Sequence, residues 1–197
     1  MSDFPAENRP SREVLRDGRV VLVRLASARD AAAMERFVAG LSPEALELRF
    51  FSPVAPSVAV AELLPAGPAE DRESFVLERT EDGPGEIVGQ AEWVRSGRGS
   101  DRAEVAFVIA DRFQGVGAGT VLLRALARRA RARGVRYFEA VSVSENRPMI
   151  DVFRGAGYPC RLESDAGELR VLLDIRREPP EGFALGTPVD SPLDTVA

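Results

Sequence analysis

Residues 113–120 read FQGVGAGT: Phe113-Gln114-Gly115-Val116-Gly117-Ala118-Gly119-Thr120. Three glycines alternate directly after an apolar run, AEVAFVIA, and directly before a helical pattern, TVLLRALARRARA. An ordinary strand-to-helix connection does not need three. The first turn of a helix presents backbone N–H groups with no acceptor inside the helix, and the aligned peptide dipoles add partial positive charge there. Glycine lets a bulky anion approach those N–H groups with no Cβ in the way. The stretch therefore reads as a pyrophosphate cradle, against the plainer reading of a tight turn packed on a sheet. The Rossmann spacing G-x-G-x-x-G is absent. The phosphate-loop lysine has no counterpart either, because the chain contains no lysine.

Outward from the cradle, the pattern alternates between strand and helix signals. VLRDGRVVLVRLA predicts a short strand, an Asp17-Gly18 turn and a second strand. Ser27 and Asp30 form a capping-box pattern before AAAMERFVA, which ends at Gly40. Ser42-Pro43 opens the helix PEALELRFF, and SVAVAELL reads as a third short helix. SFVLER and EIVGQAEWV are strands joined by the turn TEDGPG. AEVAFVIA is a buried strand, YFEAVSVS another, and Asn146 caps RPMIDVFRGA. YPCRLES and ELRVLLDI close the pattern as a hairpin around DAG. The expected organisation is a flexible arm over 1–13, one α+β domain over 14–175 and a Pro/Gly-rich tail or linker over 176–197.

Composition narrows the chemistry. The chain has 197 residues, 45% hydrophobic and 29% charged, as in a globular domain with a real core. No apolar run approaches the ~20 residues of a membrane span. The N-terminus lacks the layout of a signal peptide, and with Cys160 as its one cysteine the chain can form no internal disulfide, so a cytoplasmic location is expected. There is no histidine, which excludes Ser-His-Asp and Cys-His catalysis and histidine metal sites; no metal is expected. All 26 basic residues are arginine, and the net charge of −5 argues against a nucleic-acid partner. A general base must then be a carboxylate, a tyrosine or water. Arginines 112, 124, 128, 129, 131, 133 and 136 follow one another with no intervening acid, and Arg112 and Arg124, nearest the cradle, are the candidates to meet an anion.

Gln114, Gly117 and Gly119 match Q-x-x-G-x-G, which resembles the acetyl-CoA signature of the GNAT superfamily of N-acetyltransferases. The flanking strand, helix and strand agree with it, as does the pairing of Asn146 with the Gly157-Tyr158 helix end, and the resemblance spans residues 15–175. It implies a GNAT fold: a mixed, mostly antiparallel sheet of about seven strands flanked by helices, with a splayed strand pair that binds acyl-CoA. The implied cosubstrate is acetyl-CoA. Its diphosphate would lie on Gln114, Gly115, Val116, Gly117, Ala118, Gly119 and Thr120, and its pantetheine arm along Ile109 and Ala110, with Asn146 and Phe153 nearby. The resemblance also makes the Val108 N–H the donor to the thioester oxygen. Glu104, ten residues before Gln114, would be the general base, with Glu92 as the substitute candidate. Many relatives carry a tyrosine as general acid where this chain has Phe153, so the thiolate would leave without a protein acid.

LSPEALELRFF over residues 41–51 is similar to the LSPE…RFF segment of the Pat-type, actinobacterial-like protein lysine acetyltransferases, as is VLRDGRVVLVR. This implies a protein substrate, namely an acyl-CoA synthetase such as acetyl-CoA synthetase, at a shallow groove rimmed by Glu44, Glu47, Glu92 and Glu104. It also implies a fused domain beyond residue 197, with no membrane contact. A small-amine acetyltransferase for polyamines or aminoglycosides, and a non-catalytic acyl-CoA-sensing module, stay open. Of Phe50 and Phe51, one is expected in the core.

Overall fold

The computed structural model describes residues 10–64, 69–79 and 85–180. Its strands are β1 (Ser11–Val14), β2 (Val20–Leu25), β3 (Arg72–Arg79), β4 (Glu86–Arg95), β5 (Arg102–Ile109), β6 (Tyr137–Val143), β7 (Cys160–Asp165) and β8 (Glu168–Asp174). Its helices are α1 (Ala31–Ala39), α2 (Pro43–Phe50), α3 (Pro56–Leu63), α4 (Ala118–Ala132) and α5 (Arg147–Gly155). The strands form one sheet in the order β1-β2-β3-β4-β5-β6-β8-β7, eight where about seven were expected. Neighbours are antiparallel except β5 and β6, which are parallel. The class is α+β, as expected.

Two boundaries move. β1 begins at Ser11, inside the stretch expected as an arm, because main-chain pairing with β2 in the register Ser11↔Val23 carries it with little apolar alternation. At the other end, Arg176 bonds to Asp174 and Glu178 to Arg131, which ties the first residues of the expected tail to β8 and α4. Residues 1–9 of the arm, 80–84 of the TEDGPG turn and 181–197 of the tail lie outside the described residues.

Local signals act as written. Asp30 accepts the Ser27 N–H at 2.8 Å ahead of α1 and is gripped by Arg24. Ser42 Oγ accepts from Ala45 N–H at the start of α2. Ala166 and Gly167 both adopt positive φ in the two-residue turn that sets the register Asp165↔Glu168. Phe51 closes α2 in the left-handed region and is exposed, whereas Phe50 packs partly against the core.

The sheet separates two apolar layers. On one face α4 and α5 pack on Phe75, Leu77, Trp93, Val105, Phe107 and Phe138 through residues such as Leu122, Leu126 and Phe153. On the other, α1–α3 cover Val76, Ile87 and Val108 with Met34, Phe37, Val38, Ala59 and Leu63. Strand alternation decides which residue goes to which layer. No helix among the described residues is long and apolar enough to cross a membrane.

α4 is fixed to the sheet by charge as well as by burial. Glu73 of β3, fully buried, takes Arg129 Nε at 3.1 Å and Nη2 at 2.5 Å, and Arg133 Nη2 at 3.2 Å. Removing one partner of such a pair leaves an uncompensated buried charge. Glu73→Ala should therefore lower unfolding stability by about 3–5 kcal/mol in urea titrations, and Glu73→Leu with Arg129→Met should recover most of it.

Candidate functional site

The site begins where a ladder ends. β5 and β6 pair for three residues, Arg102↔Tyr137, Ala103↔Phe138 and Glu104↔Glu139; β5 then continues on β4 alone. The strands splay apart beyond Glu104. Antiparallel pairs alternate between hydrogen-bonded and non-hydrogen-bonded positions. Ser96 N–H donates to Arg102 C=O and Ala110 N–H to Val88 C=O, so even-numbered residues of β5 face β4 with their main-chain groups and odd-numbered ones face the splay. The expected oxyanion donor is thereby displaced: the Val108 main chain is directed at its partner Gln90, and the N–H at this depth on the open side is that of Ile109. Val108 instead contributes its side chain to the cleft wall. Ala110 is likewise committed, its N–H to Val88 and its C=O to Phe113 N–H, so it offers no main-chain edge. Ile109 C=O accepts from Gln114 Nε2 at 3.2 Å, which folds Gln114 back over the splay.

The cleft at the splay has a volume of about 770 Å³. Gly115 (φ 72°) and Gly117 (φ 96°) take left-handed conformations that turn the chain into α4, and a Cβ on Gly115 would meet nothing within 4 Å. Val121 N–H donates to Gly117 C=O, so the amides of Ala118, Gly119 and Thr120 ahead of it have no acceptor within the helix. Gly119 serves differently: a Cβ there would sit 2.7 Å from Val152 Cγ2, so its glycine lets α5 close on α4. Gln114, Gly115, Gly117, Ala118, Gly119 and Thr120 all line the cleft. Val116 does not; its side chain packs on the core and its C=O accepts Arg16 N–H at 3.0 Å.

The opposite walls come from α2 and α5. Asp111 receives Ser42 Oγ at 2.8 Å and Ser42 N–H at 3.2 Å, which docks the α2 start beside the end of β5 and brings Ala45, Leu48 and Arg49 to the cleft. Asn146 lines it too, with its carboxamide already engaged: Oδ1 caps α5 through Met149 N–H and Nδ2 donates to Ser142 Oγ. Phe153 is wholly buried behind the cleft, edge-on to Phe107 with centroids 5.7 Å apart, so it is a core residue and not a contact surface.

Charge is distributed differently from the expectation. Arg112 ion-pairs with Glu86, and Arg124 Nε donates to Ala156 C=O at 3.0 Å; neither lines the cleft. The cationic side chains that do are Arg16, Arg49 and Arg154. Arg49 is tied to Glu92 at 2.7 Å; burial pulls its guanidinium below its ordinary range, while Glu92 and Glu104 act against that. Arg72 holds the other oxygen of Glu92 at 2.7 Å. Glu92 is thus buried between two guanidiniums. Glu104 lies outside the cleft lining, exposed in an adjoining groove of about 680 Å³ with Arg102, Glu139, Val141 and Arg161. Glu104, Ala106 and Val108 share one face of β5, so Glu104 sits about 13 Å along the strand from the inner wall. Of the expected acidic rim, Glu44 and Glu47 are exposed on α2.

A splayed parallel pair, a left-handed glycine turn and free amides at a helix start make a cleft with the chemistry to receive an anion beside an open strand edge. The family model for the acetyltransferase (GNAT) family matches residues 44–158. The chain belongs to this family. It is 36% identical to the acetyltransferase Pat of Mycolicibacterium smegmatis over 134 residues, covering 68% of this chain and 39% of that protein. An acetyltransferase of Pseudomonas aeruginosa is 31% identical over 154 residues, 78% of this chain and 82% of that one. The crystal structure of the GNAT domain of S. lividans PAT superposes with a TM-score of 0.74 at 32% identity, over 87% of this chain and 99% of that one. The chain thus spans less than half the length of the Mycolicibacterium relative.

Within this GNAT domain, Arg16 and Arg154 are cleft residues that sequence reasoning missed; it also missed Asp111, which lies outside the lining and docks α2 through Ser42. Arg16 and Arg154 are distant from the glycine motif in the chain, and no spacing rule connects them to it. Asp111 could have been noticed as the lone acid between AEVAFVIA and the glycines. Cys160 is packing: burial outweighs the nearby Arg154 charge and pushes its thiol up to about 11. A raised thiol value stabilises the fold at pH below the unfolded value of about 8.5, and that contribution is lost as pH climbs through 11. Iodoacetamide at pH 8 should accordingly label native Cys160 about a hundredfold more slowly than the urea-unfolded chain; equal rates would contradict the assignment. For the α4–α5 contact, Gly119→Ala should lower stability by about 1–3 kcal/mol in denaturant titrations, and adding Val152→Ala should restore it.

Proposed function

We propose that this chain transfers an acetyl group from acetyl-CoA directly to the Nε of a lysine on a protein substrate, with Glu104 as general base, and that the substrate is an acyl-CoA synthetase such as acetyl-CoA synthetase. The observation that carries the reading is the end of the β5–β6 ladder beside the free amides of α4. The residues fit the cosubstrate: the amides of 118–120 suit its diphosphate, and Ile109 offers an N–H on the open strand edge where a pantetheine amide or thioester oxygen can accept.

A lysine ammonium with a pKa near 10.4 must lose a proton before it attacks, at a cost of about 4–5 kcal/mol at pH 7. Glu104 accepts that proton through water. The amine then forms the C–N bond, the C–S bond breaks, and the thiolate takes its proton from solvent, because Phe153 offers none. The Ile109 N–H, in place of that of Val108, stabilises the oxygen as charge develops on it. Glu92 is a poor substitute base, since both its oxygens are held by guanidiniums.

The acceptor approaches over the face of β5, β6, β8 and β7 on which Glu104 lies. The open groove there supports a protein acceptor, and the cationic Arg49 in the cleft disfavours a polyamine. Pat relatives support the same substrate class. The greater length of the Mycolicibacterium relative supports a further module in the whole protein. A reduced lone cysteine and the absence of a long apolar run support action in the cytoplasm.

Radiolabelled acetyl-CoA with purified acetyl-CoA synthetase tests the proposal. Glu104→Gln should lower kcat by about 10²–10⁴ with calorimetric acetyl-CoA affinity unchanged. Equal labelling by both proteins would remove Glu104 from its role. Turnover of spermidine with no labelled protein would select the small-amine reading.

A further inference from the structure

Most arginines near the cleft are already spoken for. Arg112 pairs with Glu86, Arg129 and Arg133 with Glu73, Arg131 with Glu178, and Arg49 with Glu92, while Arg124 bonds to a carbonyl. Arg16 and Arg154 are different. Both are exposed at the cleft, and neither guanidinium donates a hydrogen bond to a described residue. They come to the cleft from two different elements. Arg16, in the β1–β2 turn, is anchored by its own N–H to Val116 C=O inside that turn at 3.0 Å. The β1–β2 turn is held there a second time by Arg19, which donates to Arg112 C=O at 3.0 Å and stacks over Phe113. Arg154 stands on α5 two residues beyond Val152, the side chain pressed against Gly119.

We propose that Arg16 and Arg154 form a two-sided clamp for the 3′-phosphate on the ribose of acyl-CoA, an assignment that rests on the acyl-CoA reading above. The buried amides of Ala118, Gly119 and Thr120 suffice for the two oxygens of a diphosphate, but they are neutral groups at a helix end worth roughly half a positive charge. The phosphomonoester adds about −1.5 to −2 charge at pH 7 and sits outward of the diphosphate. Two exposed guanidiniums on the cleft lining, from separate elements, supply the matching charge. The clamp selects the complete nucleotide over its dephosphorylated form. Pantetheine thioesters, which carry neither phosphate group of the nucleotide end, lose both sets of contacts.

Titration calorimetry on the 197-residue chain with CoA and with dephospho-CoA tests this, with thermal melting to verify that each variant is folded. The wild type should bind CoA about tenfold more tightly than dephospho-CoA, a gap that narrows as salt rises. Arg16→Gln with Arg154→Gln should weaken CoA about tenfold and leave dephospho-CoA unchanged, and Arg16→Lys with Arg154→Lys should keep part of the preference. Equal weakening of both ligands would move the pair to the diphosphate and overturn the assignment. No change with either ligand would overturn it as well, leaving the two side chains as solvated surface. A wild type that binds neither ligand would remove the acyl-CoA reading itself, an outcome distinct from the other two.

Discussion

The structure turns on a main-chain constraint: β5 has a strand partner on both sides only as far as Glu104. A peptide group cut off from both water and a partner costs about as much as a lost hydrogen bond, so a strand that outlives its neighbour needs another source of pairing. On the β4 side the ladder supplies it through Ala110. On the other side Gln114 bends back to Ile109 C=O, and the N–H of Ile109 is left for a molecule that can lie along the strand. Because the same splay opens directly onto the start of α4, one departure from regular pairing creates both an extended edge and an anion-binding end.

Charge then divides the cleft. The helix start supplies N–H groups and partial positive charge, and the α2 wall supplies Arg49, balanced by Glu92 and Arg72. That network ties up both oxygens of Glu92, whereas Glu104, one pair of residues further along the same face, is open to water. In a chain without histidine or lysine, arginine has to serve as structural cation as well as ligand. The Glu73–Arg129–Arg133 cluster and the Asp174–Arg176 pair are of the first kind, holding α4 and the end of β8 in place.

Some of this was legible residue by residue. The alternating glycines announced a turn with positive φ ahead of a strong helix, since only glycine adopts those angles without strain; Gly115 and Gly117 do so. Strand alternation separated Phe107 from Val108, and the caps at Ser42 and Asn146 were readable from the residue types alone. The arginine run misled because seven like charges in a row look like one surface, whereas a helix spreads them around its circumference: Arg129 points into the core, Arg131 towards the chain end and Arg124 to a backbone carbonyl. Phe153 misled for a similar reason, because α5 turns it away from the cleft and onto Phe107.

The amino-acid sequence by itself determined which segments become strands and helices, where the glycine turn falls, that no histidine or lysine of the chain can take part in the chemistry, and which family the chain resembles. These are properties of local stereochemistry and composition. Only the tertiary structure decided that the Val108 amide faces β4 and the Ile109 amide the splay, that Glu92 lies locked between two arginines, and that Arg16 and Arg154 line the same cleft. Those outcomes depend on ladder parity and on contacts between residues far apart in the chain, such as Arg16 with Val116 and Arg49 with Glu92, which no local pattern encodes.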